Sequence, residues 1–263
     1  MKLAQFKVLT FDCYGTLIDW ESGIFNALAP LTRKAKVSEP RDQLLQTFAK
    51  HESAQEEATP AMPYSQLLSV LYKRLAKEWG VAVTNEEANI FGASVPDWPE
   101  FPDSVNALQY LKKHYKLAIL SNVDRISFRS SNARLKVDFD AIFTAQDIET
   151  YKPNYRNFEY MLERLHDDFR LESSDILHTA QSLFHDHAPA NHFGLASAWI
   201  DRRHADQGWG ATIPPRGTPK YNFRFDSMAD LVLAHQAELR PAGSDGLVGP
   251  AIASVASNDN VAK

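Results

Sequence analysis

A single cysteine, Cys13, stands among 263 residues. It can close no intrachain disulfide and cannot build a cysteine cage for zinc. A basic excess is also missing. There are 28 Lys and Arg against 33 Asp and Glu, a net charge of −5, whereas a nucleic-acid-binding surface normally shows the opposite balance. No apolar run reaches the ~18 residues of a membrane span. The opening Met1-Lys2-Leu3-Ala4-Gln5-Phe6 holds no apolar stretch of the kind a secretory signal needs. No internal repeat is visible. The expectation is a soluble, cytoplasmic protein with neither nucleic acid nor membrane among its partners. What is present is globular composition, 44% hydrophobic and 23% charged, which excludes disordered and collagen-like classes. At ~150 residues per domain the length gives about 1.75 domains, one core with a smaller companion.

Phe6-Lys7-Val8-Leu9-Thr10-Phe11 is a short β-rich run ending at Asp12. From there to Trp98 the pattern turns helical. Tyr64, Leu67, Leu68, Leu71 and Leu75 keep the spacing of an amphipathic helix, with Gly80 as its stop. Leu44, Leu45 and Phe48 mark a helix after Pro40, and Glu21 to Leu31 and Asn85 to Ala93 predict two more. The segment 95–103 carries Pro96, Pro99 and Pro102, which disfavour helix and mark a hinge. Strand and helix then alternate. Asp103 caps a helix to about His114, and Lys116 to Leu120 is a strand ending at Ser121-Asn122. Ala141 to Thr144 is a strand, and Pro153 starts a helix with Phe158, Met161, Leu162 and Leu165 on its apolar face. Ile176 to Ala180 is the next strand, Ala188 to Phe193 a short helix, and Ala196 to Ile200 a last strand. Such alternation implies right-handed crossovers and a mostly parallel sheet. The expected architecture is therefore α/β: a Rossmann-like core over 1–18 and 99–240, and an all-helical cap over 19–98. The Gly-, Ala-, Ser- and Asn-rich stretch 241–263 is expected to be a mobile tail.

In open α/β sheets, ligands bind beyond the carboxyl ends of the strands. Those ends carry Asp12, Ser121 with Asn122, Lys152 just past the third strand, and Asp186 past the fourth. Two carboxylates, a lysine and a hydroxyl–amide pair thus converge on one crevice. A carboxylate beside a lysine stays ionised and oriented, as a nucleophile requires. Polar residues at strand ends are also simply where loops begin. Four of them in this order are much harder to explain that way.

The local sequences sharpen the reading. Asp12-Cys13-Tyr14-Gly15-Thr16-Leu17 resembles the first motif of the haloacid dehalogenase superfamily. Leu120-Ser121-Asn122 resembles its second, Lys152-Pro153 its third, and Ser182-Leu183-Phe184-His185-Asp186 its fourth. The likeness runs from about Phe6 to Arg203. It implies a Rossmann-like core under a mobile helical cap, with Asp12 as a nucleophile forming a covalent intermediate.

Phosphatases of that superfamily usually carry a second aspartate two residues after the nucleophile, as general acid. Here the position holds Tyr14, whose phenol, with an ordinary pKa near ~10, is a poor acid at neutral pH. They also pair acids in the fourth motif to hold Mg²⁺, where this chain has Gln181. Asp12 and Asp186 alone would then serve as metal-binding carboxylates, and weakly. Both departures favour the L-2-haloacid dehalogenase branch, whose first motif has the same Asp-x-Tyr-Gly-Thr form. No cofactor and no metal are expected on that reading. By the resemblance Asp12 attacks the halogen-bearing carbon, and water near Asp186, assisted by Lys152, hydrolyses the ester at the aspartyl carbonyl. Thr16 would orient Asp12, Ser121 would hold the carboxylate of a small anionic substrate, and Asn122 would touch the halide. Tyr14 and Ser182 complete the implied substrate contacts, and a homodimer is compatible with the reading. Three positions depart from that branch. Phe158 stands for a tyrosine, Leu183 stands for an asparagine, and no cap arginine aligns. Arg41 reads as a surface residue at a helix start, with Lys50 and His51 nearer the expected stretch. A Mg²⁺-dependent phosphatase of a small metabolite is the second reading, and a silent binding protein of the same fold the third. Intact Asp12, Lys152 and Asp186 argue against the latter.

His185-Asp186-His187 could suggest a metal site. The plainer reading is that the two rings shape the pocket around Asp186. Cys13, beside Asp12, is expected to face away as a buried structural thiol. Trp98 and Phe101 are expected to pack the cap against the core.

Overall fold

The first strand, β1 (Val8–Phe11), is buried on both faces, as a central strand covered by helices must be. Its neighbours are β2 (Lys116–Ser121) on one side and β4 (Ile176–Ala180) on the other, both parallel to it. With β3 (Ala141–Thr144), β5 (Ala196–Ile200) and β6 (Phe223–Phe225) the order is β3-β2-β1-β4-β5-β6, and every pairing is parallel. The order reverses between β1 and β4, so a crevice opens beyond their carboxyl ends. Asp12 follows one of these strands and Asp186 lies six residues past the other. The computed structural model describes residues 1–206 and 208–240; the expected tail 241–263 lies outside them.

Alternation along β1 sends Val8 to one face and Leu9 and Phe11 to the other. Val8 joins the smaller apolar cluster under α8 (Arg156–Phe169), where Phe158, Met161 and Leu165 point inward as their spacing requires. Leu9 and Phe11 belong to the larger cluster, which continues without a break into Ile24, Leu45, Leu68 and Trp98.

Residues 20–92 form four helices and no strand: α1 (Trp20–Ala35), α2 (Arg41–Ala58), α3 (Tyr64–Glu78) and α4 (Asn85–Gly92). Asp19 caps α1 by accepting from the Ser22 amide at 3.1 Å. The chain leaves and re-enters the core side by side, the Asp19 amide donating to the Pro99 carbonyl at 2.8 Å. Trp98 is fully buried and meets Tyr14 and Tyr64 edge-on at 5.7 and 6.4 Å. It lies so close to α1 that a Cβ at Gly23 would sit 2.3 Å from its ring.

The core continues with α5 (Ser104–Leu111), α6 (Arg125–Leu135), α7 (Ala145–Ile148), α9 (Ala188–His192) and α10 (Met228–Leu239). Several expectations need correction. Ala196–Ile200 is not the last strand, since β6 pairs with it at the sheet edge. The helix expected from Pro153 starts at Arg156, after a turn in which the Asn154 amide donates to the Tyr151 carbonyl. Asp103 precedes α5 without capping it, because its carboxylate accepts from Arg202 at 2.9 Å and from the Ala229 amide.

Candidate active site

Asp12 emerges from β1 with its carboxylate almost wholly buried. The turn that follows requires Gly15, whose φ of +94° suits a residue without Cβ. This turn brings Thr16 back over Asp12, where its hydroxyl donates to Asp12 Oδ2 at 2.7 Å. The same Oγ accepts from the Gln181 amide at 2.9 Å, which ties the β1 loop to the β4 loop.

Lys152 is 1% exposed and its ammonium makes three hydrogen bonds: Asp12 Oδ1 at 2.9 Å, Asp186 Oδ1 at 2.7 Å and the Leu120 carbonyl at 2.9 Å. All three N–H donors are thereby used. Asn122 fixes this lysine through the backbone, its Oδ1 accepting from the Lys152 amide at 2.7 Å and its Nδ2 donating to the Lys152 carbonyl at 3.0 Å. Asp186 sits on a π-helical turn, Leu183–His187, capped by the Ser182 hydroxyl. Its Oδ1 also bonds His178 Nε2 at 3.0 Å, while His178 Nδ1 meets the Thr10 hydroxyl at 2.9 Å. Asp186 Oδ2 is buried and has no hydrogen-bond partner among the described residues.

The electrostatics follow from this arrangement. Burial raises the pKa of Asp12, against the opposing pull of the Lys152 ammonium and the Thr16 hydroxyl. Asp186 is equally buried, yet Lys152 and His178 hold it well below the carboxylate range. The two carboxylates in turn raise Lys152 above its ordinary value despite burial. Burial lowers His185 and His187 to about 4, so both rings are neutral at pH 7. His187 bonds the Ala180 carbonyl and Ser197, in keeping with a shaping role. Cys13 is fully buried, and burial pushes its thiol well up.

Asp12, Lys152 and Asp186 border a cavity of about 40 Å³, together with Tyr14, Asn122 and Ser182 from the expected set. At the ~10–15 Å³ that one water needs on this measure, the space suits a ligand of a few heavy atoms. Ser121 is not on its wall. That residue ends β2 and is 2% exposed, and its hydroxyl has no hydrogen-bond partner among the described residues. Asn122 and Val123 form the wall there instead. The Tyr14 phenol bonds Ser131 at 2.8 Å, and burial raises its pKa well above 10.0.

The cap contributes residues that the sequence reading overlooked: Glu52, Glu56 and Tyr64, with Trp20 at the entrance to α1. Glu52 and Glu56 lie one turn apart on α2, on the same side as Leu45, Phe48 and Ala49. Acids continuing a buried apolar stripe were the available signal. Tyr64 donates to Glu52 Oε1 at 2.6 Å, and Asn122 Nδ2 donates to Glu56 Oε1 at 3.2 Å. Burial raises Glu52 to about 8 and Glu56 well above 4.5. No arginine is among the described residues lining this cavity. Arg41 lies on the outer side, bonded to Ser22, and His51 pairs with Glu78.

A magnesium ion fits this arrangement poorly. The Lys152 ammonium already bridges Asp12 and Asp186, and no group of three or more metal-binding side chains occurs among the described residues. No helix among them is long and apolar enough to cross a membrane.

The family model of haloacid dehalogenase-like hydrolases matches residues 6–178. An (S)-2-haloacid dehalogenase of Pseudomonas sp. (strain YL) is 26% identical over 209 residues, 74% of this chain and 83% of that protein. Solved structures of similar fold include a defluorinating L-2-haloacid dehalogenase, with a TM-score of 0.71 and 18% identity over 89% of this chain and 98% of the other. Another is the L-2-haloacid dehalogenase of Xanthobacter autotrophicus with chloropropionic acid covalently bound, with a TM-score of 0.66 and 15% identity over 90% and 100% of the two chains.

Proposed function

The chain belongs to the haloacid dehalogenase-like hydrolases, and within that family we propose that it cleaves the carbon–halogen bond of a short 2-haloacid through an ester of Asp12. One carboxylate oxygen of Asp12 forms a bond to the halogen-bearing carbon, and the carbon–halogen bond breaks with its electron pair, expelling halide. Water then attacks the aspartyl carbonyl carbon. The ester C–O bond breaks at that carbon, one proton is released, and the product leaves as a 2-hydroxy acid with Asp12 regenerated.

The observation that carries this reading is the pairing of a held carboxylate with a phenol, in place of a second carboxylic acid, two residues further on. Thr16 and Lys152 fix the two oxygens of Asp12. The side chain two residues on is a phenol whose proton is bound more tightly than usual. Halide departs without protonation, whereas a phosphate ester's alkoxide does not, and losing a general acid costs ~10²–10⁴ in rate. Asp186 Oδ2, buried and free of partners among the described residues, can accept a hydrogen bond from the attacking water. Lys152 offsets charge on Asp12 as the ester forms and breaks. Covalent capture of chloropropionic acid by a protein of the same fold supports the ester, and so does the (S)-2-haloacid dehalogenase relative.

The test is a panel of short 2-haloacids and small phosphate esters, assayed for halide and phosphate with and without EDTA. Halide release insensitive to EDTA and absent in Asp12→Asn is the expected result. Phosphate release that needs Mg²⁺, with no halide from any haloacid, would overturn the proposal.

A further inference from the structure

The cap side of the cavity is lined by acids, and no cap cation stands among the described residues on its wall. Asp12 and Asp186 line its core side, and Glu52 and Glu56 its cap side. Among the described residues on the wall the one cation is Lys152, which has no N–H left to offer. We propose that Glu52 and Glu56 form an ammonium subsite, so that the substrate is a small haloacid that also carries a protonated amine. This rests on the dehalogenation at Asp12 proposed above.

Both cap carboxyls are more than nine-tenths buried, and among the described residues each has only one hydrogen-bond partner, Tyr64 for Glu52 and Asn122 for Glu56. A buried carboxyl is normally paired with a cation or fully hydrogen-bonded. Burial keeps Glu52 protonated at neutral pH; an ammonium entering the cavity would take the place of that proton. Asp186, whose Oδ2 is buried without a partner among the described residues, borders the same cavity. Tyr14, Trp20 and Tyr64 border the cavity too, and aromatic faces around carboxylates suit an ammonium ion. Two of these rings are held edge-on to Trp98. The raised pKa of Glu52, about 8 through burial, is what a carboxyl lacking its cation should show, and an ammonium beside it would pull that value down. A metal ion is a poorer occupant, since no group of three or more ligating side chains exists among the described residues.

Glu56 extends the subsite's reach. Its Oε1 accepts from Asn122, the residue that also holds both backbone groups of Lys152. An ammonium bound by Glu56 is therefore one side chain away from the residue that positions the catalytic lysine.

The experiment is calorimetric titration of the wild-type protein with three ligands of similar size that cannot react: n-propylammonium, propionamide and propionate. We expect propylammonium to bind at least about tenfold more tightly than propionate, with propionamide between them. Glu52→Gln/Glu56→Gln should lose that preference, and Glu52→Gln alone should weaken it. Tighter binding of propionate, equal binding of all three, or no detectable binding of propylammonium would overturn the subsite, whatever the variants do. Halide release from 3-amino-2-chloropropionate is then compared with that from 2-chloropropionate. A higher kcat/KM for the amino compound is expected. If the titrations succeed while neither compound releases halide, the Asp12 reading has failed and the ammonium subsite has not.

Discussion

Replacing Glu52 with Gln should stabilise the protein in a pH-dependent way. Glu52 is 4% exposed and its only hydrogen-bond partner among the described residues is the Tyr64 hydroxyl. Its pKa rises from 4.5 to about 8 on folding, chiefly through burial. Between these values the folded protein binds a proton that the unfolded chain does not. Raising the pH through this window therefore removes stability, at about 1.4 kcal/mol per pH unit. Across the whole window the ceiling is roughly 5 kcal/mol, and above it both states are ionised and the loss is constant. Glutamine keeps the shape and an acceptor for Tyr64 but does not titrate. His187, lowered to about 4, works in the other direction between that value and ~6.5, so the quantity to follow is the difference between variant and wild type. Urea unfolding at pH 5, 6.5, 8 and 9 measures it. The variant should gain on the wild type by at least ~2 kcal/mol between pH 5 and 8, and Glu52→Gln/Glu56→Gln by more. Parallel stability curves, with the difference unchanged to within ~0.5 kcal/mol, would refute the account of Glu52 as a buried carboxyl without a counter-charge.

Tyr14→Phe removes a phenol bonded to Ser131; we expect kcat for halide release to fall by less than about tenfold, and a loss of ~10²–10⁴ would make Tyr14 the general acid we exclude. Gly23→Ala places a Cβ 2.3 Å from Trp98 and should cost ~1–3 kcal/mol in urea unfolding, whereas unchanged stability would mean that cap and ring are not in close contact. The rate of halide release should fall on the acid side at a pH above the ordinary 3.8 of an aspartate, because burial raises Asp12 and the protonated carboxyl cannot attack. An acid limb at or below that value in a pH–rate profile would contradict the desolvated nucleophile.

The sheet and its site were legible where sequence pattern and physical cause coincide. Runs such as Val8–Phe11 and Ile176–Ala180 are apolar because helices cover both faces of the sheet, and their ends announce Asp12 and, a turn later, Asp186. The four helices of the cap were readable, α3 most plainly from its period and the stop at Gly80. α6 was not, because its buried side is partly small and polar, with Ser127 and Ser131 beside Phe128 and Leu135. β6 is three residues long at the sheet edge and too short for a pattern. Of the residues that border the cavity, those close to the strand ends were named from the sequence and the cap residues were not. Glu52 and Glu56 look like solvated charges on paper, although they continue the stripe of Leu45, Phe48 and Ala49 that packing turns inward. Tyr64 was visible as a core residue of α3, but its hydroxyl's partner was not. Ser121 shows the opposite error, since a strand-end hydroxyl in the expected motif lies off the cavity wall.

The central claim, an ester on Asp12 hydrolysed at the aspartyl carbonyl, is tested most directly by a single turnover in H₂¹⁸O with enzyme in excess of the haloacid that it turns over. Mass spectrometry of the peptide containing Asp12 and of the hydroxy acid locates the label. One ¹⁸O in the Asp12 carboxylate and none in the first-turnover product is the predicted result. Label in the product and none in Asp12 would mean that water displaces the halide directly, and the account of Asp12 as nucleophile would be wrong.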